Sequence, residues 1–180
     1  MNAVRQAAKV AAFLWFSAML PASLAAPSPQ LQEQIRWLNL DSALSLAKMY
    51  DRHVLVYIYT DWCGYCQIYD QRLFKDPDVV SFLNEQFLPV RINAWNKNSM
   101  WFQGEEFSYD PELKANTLAL FLLQGRMDYP SWVILSPEAE LITTIPGYME
   151  VPQLTKVLGF YAHGHYKRMS WEAYNAMKKN

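Results

Sequence analysis

The stretch Val54-Leu55-Val56-Tyr57-Ile58-Tyr59-Thr60-Asp61-Trp62-Cys63-Gly64-Tyr65-Cys66 decides the reading of this chain. Its first six residues are β-branched, aromatic or leucine with no polar break, the pattern of a strand buried on both faces. The only two cysteines of the chain follow directly, at positions 63 and 66. If a strand ends near Thr60 and a helix begins at Cys63, residues three apart share one helical face, close enough for a disulfide. The pair reads as a redox-active dithiol that opens and closes with little backbone movement. Cys63, at the helix N-terminus, lies where unpaired backbone N–H groups and the helix dipole favour a thiolate, and is the expected attacking thiol. Cys66, a turn deeper and shielded, is the expected resolving thiol.

Three readings compete with this. A purely structural disulfide across so short a loop removes little chain entropy and contributes little stability. A zinc site needs two more ligands; His163 and His165 are the candidates, but His-Gly-His near the C-terminus reads as a solvated turn. Two reduced, inert cysteines suit a cytosolic chain better than an exported one.

Export is the expectation from the residues upstream. Residues 1–26 have the form of a secretory signal, with Arg5 and Lys9 as the positive start, Val10 to Leu20 as the apolar core, and Pro21-Ala22-Ser23-Leu24-Ala25-Ala26 as a small-residue exit. The core is about half of a membrane span, which favours cleavage, after Ala25 or Ala26, over an uncleaved anchor. Residues 27–180 are then one domain, with a core over about 37–158 and a C-terminal helical extension over about 159–180. Loss of Arg5 and Lys9 leaves 14 basic against 17 acidic side chains, a balance with no electrostatic case for nucleic acid. Aromatic residues make up 15% of the chain and recur outside the apolar runs, so some are expected to line a binding surface while most are packed. A small secreted protein that used disulfides as scaffolding would spread several across distant segments. This one has a single short-range pair, which points to chemistry.

Leu31 to Leu38 is expected to begin an ordered strand or helix. Asp41-Ser42 offers a cap for a helix that ends near Tyr50-Asp51. The helix opened by Cys63 is expected to reach Leu73, and Asp76-Pro77-Asp78 to start another that ends at Gln86. Phe87 to Asn93 is the second strand. Ala94 to Pro111 carries Trp95, Trp101, Phe102, Phe107 and Tyr109 among polar residues, either a surface hairpin held by its own aromatics or a wall of a substrate groove. Glu112 to Gln124 reads as a helix closed by Gly125. Trp132 to Leu135 and Leu141 to Ile145 read as a hairpin, followed by a last helix from Val151 to Tyr161. Trp171 and Tyr174, at i and i+3, suggest a packed terminal helix.

Strand and helix alternate early, and an antiparallel hairpin plus helix close the chain, so the class is α/β with a mixed sheet flanked by helices. In order along the chain, the Trp-Cys-x-x-Cys segment, Tyr129-Pro130 before Trp132-Val133-Ile134-Leu135, and Ile145-Pro146-Gly147-Tyr148 resemble the thioredoxin superfamily over about Trp37 to Leu158. More narrowly, Asp76-Pro77-Asp78-Val79 and Phe102-Gln103-Gly104 are similar to exported thioredoxin-like proteins related to disulfide-transfer (Dsb-type) domains. The resemblance implies a three-layer thioredoxin-like sandwich with an aromatic-rich insertion before the cis-proline strand. It implies a cis peptide before Pro130, facing the disulfide, and a Tyr129 backbone that pairs with an extended substrate segment. Trp62, Gly64, Tyr65, Tyr129 and Pro130 are then the substrate-binding residues beside the catalytic Cys63 and Cys66, with Tyr129 equally a space-filling partner of Trp62. Thioredoxin has a buried acid where Tyr57 stands, and its proton route does not carry over. Water, Asp61, Glu105 or Glu106 are the candidate substitutes.

The resulting expectation is an exported or periplasmic thiol:disulfide oxidoreductase, with reduction or isomerisation favoured over oxidation because Gly-Tyr between the cysteines resembles the disulfide-isomerase branch. It needs no metal and no cofactor beyond its own disulfide. Its expected partners are protein thiol or disulfide substrates and a redox partner that recycles the pair; membrane contact is expected only if the signal stays uncleaved. The alternative is a non-catalytic thioredoxin-like binding module that holds a partner through the cis-proline groove and the aromatic insertion.

Overall fold

The computed structural model describes residues 33–177; the expected signal segment and the possible start of an element at Leu31 lie outside them. The sheet is built on β1 (Val54–Tyr59), with β2 (Leu88–Asn93) parallel on one side and β7 (Ser131–Leu135) antiparallel on the other; β8 (Leu141–Pro146) pairs antiparallel with β7 at the edge. The expected mixed sheet is therefore present. The alternation of β1 sorts its side chains between two cores. Val54, Val56 and Ile58 pack with α1 (Leu40–Tyr50) and α4 (Thr117–Leu122), whereas Leu55 and Tyr57 pack with α2 (Gly64–Gln71), α3 (Pro77–Gln86) and α5 (Val151–Ala162). All five are fully buried, which is why this strand reads as a continuous apolar run.

Helix α3 starts where Asp76 is expected to cap it: the carboxylate accepts from the Asp78 and Val79 N–H groups at 3.0 and 3.2 Å, with Pro77 in the first turn. Other boundaries differ from expectation for local reasons. Helix α1 is capped by Asn39, whose Oδ1 accepts from Ser42 N at 2.8 Å, so Asp41 and Ser42 lie inside it. The segment from Glu33 to Leu38 is neither strand nor helix. Asn84 takes up its backbone, accepting from Arg36 N and donating to Gln34 O, and only Leu38 reaches the sheet, in a single bridge to β2. Helix α2 stops at Gln71 and gives way to a 3₁₀ turn over Leu73–Lys75.

The helix expected over Glu112 to Gln124 is cut to Thr117–Leu122. The Asp110 carboxylate accepts from Glu112 N and Leu113 N, Lys114 turns left-handed at φ 51°, and the chain reverses so that β5 (Tyr109–Asp110) pairs with β6 (Ala115–Asn116). Asn116 then caps α4 by accepting from Leu118 N. The aromatic insertion forms a hairpin, β3 (Met100–Phe102) with β4 (Glu105–Phe107). Phe102 and Phe107 seat it against Phe121 of α4, on the α1 side of the sheet. At the C-terminus α6 (Trp171–Met177) packs as expected, with Tyr174 buried against Phe160 of α5 at 5.1 Å between ring centroids. Position 159, where the helical extension was expected to begin, lies inside α5.

Candidate active site

Cys63 and Cys66 are joined as a disulfide with 5.2 Å between their Cα atoms, inside the range a disulfide spans without strain in the chain. Cys63 is the N-cap of α2 rather than its first helical residue: its backbone is extended, and its sulfur accepts from Cys66 N at 3.3 Å. The sulfur therefore sits at the unpaired N–H groups of the first turn, where negative charge is stabilised. Cys63 is 6% exposed and Cys66 1%. A partner thiol approaching from solvent meets Cys63 first. This asymmetry is the one that attack by Cys63 and resolution by Cys66 would need.

The connection from β1 to α2 is braced. Gln67 Nε2 donates to Asp61 O at 3.0 Å, and Asn93, at the end of β2, donates through Nδ2 to the Asp61 carboxylate at 2.8 Å. Trp62 and Tyr65 stand in solvent, 56% and 58% exposed, on either side of Cys63 in sequence. Trp62 meets Tyr129 edge to face at 6.0 Å and Trp95 at 5.6 Å. Tyr65 stacks on Tyr148 at 5.2 Å, and the Tyr148 hydroxyl donates to Glu150 at 2.9 Å, which holds its pKa above the ordinary tyrosine value. Gly64 is exposed, and apart from its chain neighbours a Cβ there would meet nothing within 4 Å.

The Tyr129-Pro130 peptide is cis, as the resemblance implies. Ser131 Oγ donates to Asp128 O at 2.7 Å across this bend, and Gly147 N donates to Pro130 O at 2.8 Å. Gly147 has φ 94°, a conformation that a side chain would strain, so the glycine of the late turn is required by the backbone. Pairing of β7 with β1 begins only at Ser131, leaving the backbone of Tyr129 outside the ladder. The Tyr129 ring is partly buried beside Trp62, and burial pushes its hydroxyl pKa up to about 12.

Beneath the disulfide the core is aromatic. Tyr57 lies 4.8 Å from Trp132 and 5.0 Å from Phe74, ring to ring, and its hydroxyl is buried with no hydrogen-bond partner. Burial, reinforced by the nearby Asp70 charge, drives its pKa upward. Tyr57 stays protonated at neutral pH and accepts no proton there. Glu105 and Glu106 are exposed on the hairpin, which packs on the α1 side of the sheet, whereas Cys66 packs on the other side. Of the acids considered as substitutes, Asp61 alone is tied to the loop that carries the disulfide. His163 and His165 lie at the end of α5 and in the 3₁₀ turn after it. Among the described residues no group of three or more His, Cys, Asp or Glu is placed to hold a metal, and no helix is long and apolar enough to cross a membrane.

A thioredoxin-like domain family model matches residues 40–162. The chain belongs to the thioredoxin-like domain family. Solved structures agree on the fold. Thioredoxin from Thermus thermophilus is 24% identical, with 70% of this chain and 85% of that one covered, at a TM-score of 0.52. A thioredoxin-fold protein from Helicobacter pylori is 18% identical, with 77% and 91% covered at 0.53, and a DsbH oxidoreductase 15% identical, with 77% and 91% covered at 0.54. No curated protein matches the chain. As a thioredoxin-like domain with a Cys-x-x-Cys disulfide at a helix N-terminus, the protein is a thiol:disulfide oxidoreductase.

From sequence, Trp95 is one of five insertion aromatics that read either as part of a surface hairpin or as a groove wall, and Tyr148 only part of the late glycine turn; neither stands among the expected substrate-binding residues. Parallel pairing of β1 with β2 puts Tyr59 opposite Asn93, so the loops leaving both strands emerge at one edge of the sheet. The carboxyl ends of parallel strands are where α/β sheets gather their sites, a signal that, applied to β2, leads to the loop carrying residue 95.

Proposed function

We propose that the protein is exported, probes protein disulfides through Cys63, and runs in the reducing or isomerising direction. The observation that carries the reading is the placement of Cys63 Sγ as the cap of α2 with Cys66 buried behind it. In reduction, the Cys63 thiolate attacks one sulfur of a substrate disulfide; a new S–S bond forms, the substrate bond breaks, and the leaving thiolate takes a proton from solvent. The Cys66 thiolate then attacks Cys63 Sγ, the mixed disulfide breaks, and the second substrate thiolate departs. The substrate gains two electrons and the enzyme pair loses two, to be restored by a separate redox partner. The Tyr129 backbone, outside the β1–β7 ladder, is placed to pair with an extended substrate segment. Export rests on the charged, apolar and small-residue succession of residues 1–26.

Trapping tests the cysteine roles. Cys66→Ser is expected to accumulate mixed disulfides with proteins and Cys63→Ser to accumulate none; equal trapping by both would contradict the assignment. A reduction potential near thioredoxin's roughly −270 mV would support the reducing direction, and one near about −120 mV would overturn it in favour of oxidation.

A further inference from the structure

Trp95 is 43% exposed and shares an edge of the sheet with the 56% exposed Trp62, their rings 5.6 Å apart and inclined at 56°. A single tryptophan in solvent needs no explanation, but two side by side next to a reactive disulfide do. The loop that carries Trp95 is rigidly held. Asn93 Oδ1 accepts from Trp95 N at 2.8 Å while its Nδ2 grips Asp61, so one side chain locks Trp95 and the Trp62 loop together. Further on, the fully buried Asn116 donates through Nδ2 to both Asn96 O and Asn98 O at 3.1 Å, and Ala94, also fully buried, supplies the packing. Trp95 is thus not needed to fill the core, yet the backbone around it is fixed.

We propose that Trp95 is a specificity-determining residue of disulfide exchange: with Trp62 it forms a preorganised aromatic shelf for an aromatic or aliphatic side chain that flanks the reacting cysteine of a protein substrate. The inference rests on the reading that proteins are the substrates. Three things define the occupant. It must bring a sulfur to Cys63, the chain neighbour of Trp62. It runs past Tyr129, whose backbone lies outside the sheet ladder and whose ring meets Trp62 edge to face, so it is an extended polypeptide. It must also cover apolar rings held open to water, which a hydrophilic disulfide does not do. Because the shelf is already ordered, little is lost in freezing it on binding.

The test compares oxidised glutathione with two cystine peptides identical except for phenylalanine or serine beside the cysteine, using the full domain as wild type, Trp95→Ala and Trp95→Phe. Wild type is expected to prefer the phenylalanine peptide by about tenfold or more in kcat/KM. Trp95→Ala should remove most of that preference through KM rather than kcat, and Trp95→Phe should restore part of it. A preference equal in wild type and Trp95→Ala, or a loss shared equally by both peptides, overturns the proposal while protein exchange stands. Turnover of glutathione with neither peptide used by wild type overturns the protein-substrate reading itself, and the shelf with it.

Discussion

The guanidinium carbon of Arg91 stands 4.3 Å from the centroid of the Tyr59 ring, while Nη2 of the same side chain binds the Asp70 carboxylate at 3.1 Å. One residue of β2 thus joins the last residue of β1 to the helix that carries the disulfide. The ring of Trp37 lies 5.5 Å from the same cation, so the guanidinium plane closes the outer side of the aromatic core.

That arrangement depends on a flat cation. Lysine would keep the charge and lose the flat contact with the rings; its hydrogen bond to Asp70 can persist, because Arg91 reaches both carboxylate oxygens through Nη2 alone. Arg91→Lys is expected to lower unfolding stability by about 1 kcal/mol, since the pair is partly exposed and screened and most of the loss comes from the ring contact. Denaturant unfolding of the two proteins decides it: an unchanged midpoint would show that the ring contact contributes nothing.

Tyr57 carries a buried hydroxyl with no partner. Tyr57→Phe removes that unsatisfied group and keeps the ring among Trp132, Phe74 and Tyr69, so stability is expected to rise by about 1 kcal/mol. Exchange rates should be as in wild type, because the hydroxyl moves no proton. Tyr57→Asp is expected to lower stability by more than about 3 kcal/mol, as it replaces a packed ring with a buried carboxyl. A loss of exchange in Tyr57→Phe alone would return the hydroxyl to the mechanism.

Tyr69 is the opposite case. Its hydroxyl donates to Met149 O at 3.1 Å and accepts from Met149 N at 2.8 Å, fastening the turn after β8 to α2. Tyr69→Phe leaves two buried backbone groups unpaired and should cost about 2 kcal/mol, read from chemical denaturation. Amide exchange at Met149 should accelerate in step; protection as in wild type would mean that water replaces the hydroxyl.

The contrast between these two tyrosines shows what a sequence can carry. The run Val54 to Tyr59, the Cys-x-x-Cys spacing and the Asp76-Pro77 start are local signals, set by side-chain chemistry within a few residues, and each stands where it was expected. The insertion was legible as aromatic but not as divided. Phe102 and Phe107 turn to the α1 side of the sheet, while Trp95 turns to Trp62, because the strand-end register of β1 and β2 decides where each loop begins. The shortened α4 was hidden for a related reason: Asp110 and Asn116 reverse the chain by side-chain hydrogen bonds that compete with a helical pattern. Whether a buried tyrosine hydroxyl finds a partner depends on residues 80 positions away, as with Met149, and no spacing rule reaches that far.

His53 adds a pH dependence. Its Nε2 meets the Tyr166 hydroxyl at 3.2 Å, and burial, with the Lys167 charge second, holds its pKa below the ordinary value near 6.5. Asp51 and Glu138 oppose this more weakly. The unfolded chain therefore binds a proton at higher pH than the folded one, so the stability His53 contributes is present above about pH 6.5 and is lost as pH falls through its folded pKa. His53→Asn should flatten the stability profile between about pH 5 and 7 relative to wild type. Parallel profiles for the two proteins would assign the acid loss to other groups.

The Cys63 sulfur bonds to Cys66 and accepts the Cys66 N–H, so helix stability and electron count are written on one atom. Reduction frees that sulfur to become a thiolate, which gains from the first turn of α2 what a neutral sulfur cannot. Folding and reduction close a thermodynamic cycle, so whatever the fold adds to the reduced form must return as an easier reduction, about 30 mV for each 1.4 kcal/mol. Unfolding the protein once with its cysteines joined and once with them reduced therefore measures how far the fold shifts its redox potential from that of the unfolded pair. A calorimeter and an electrode should give the same answer.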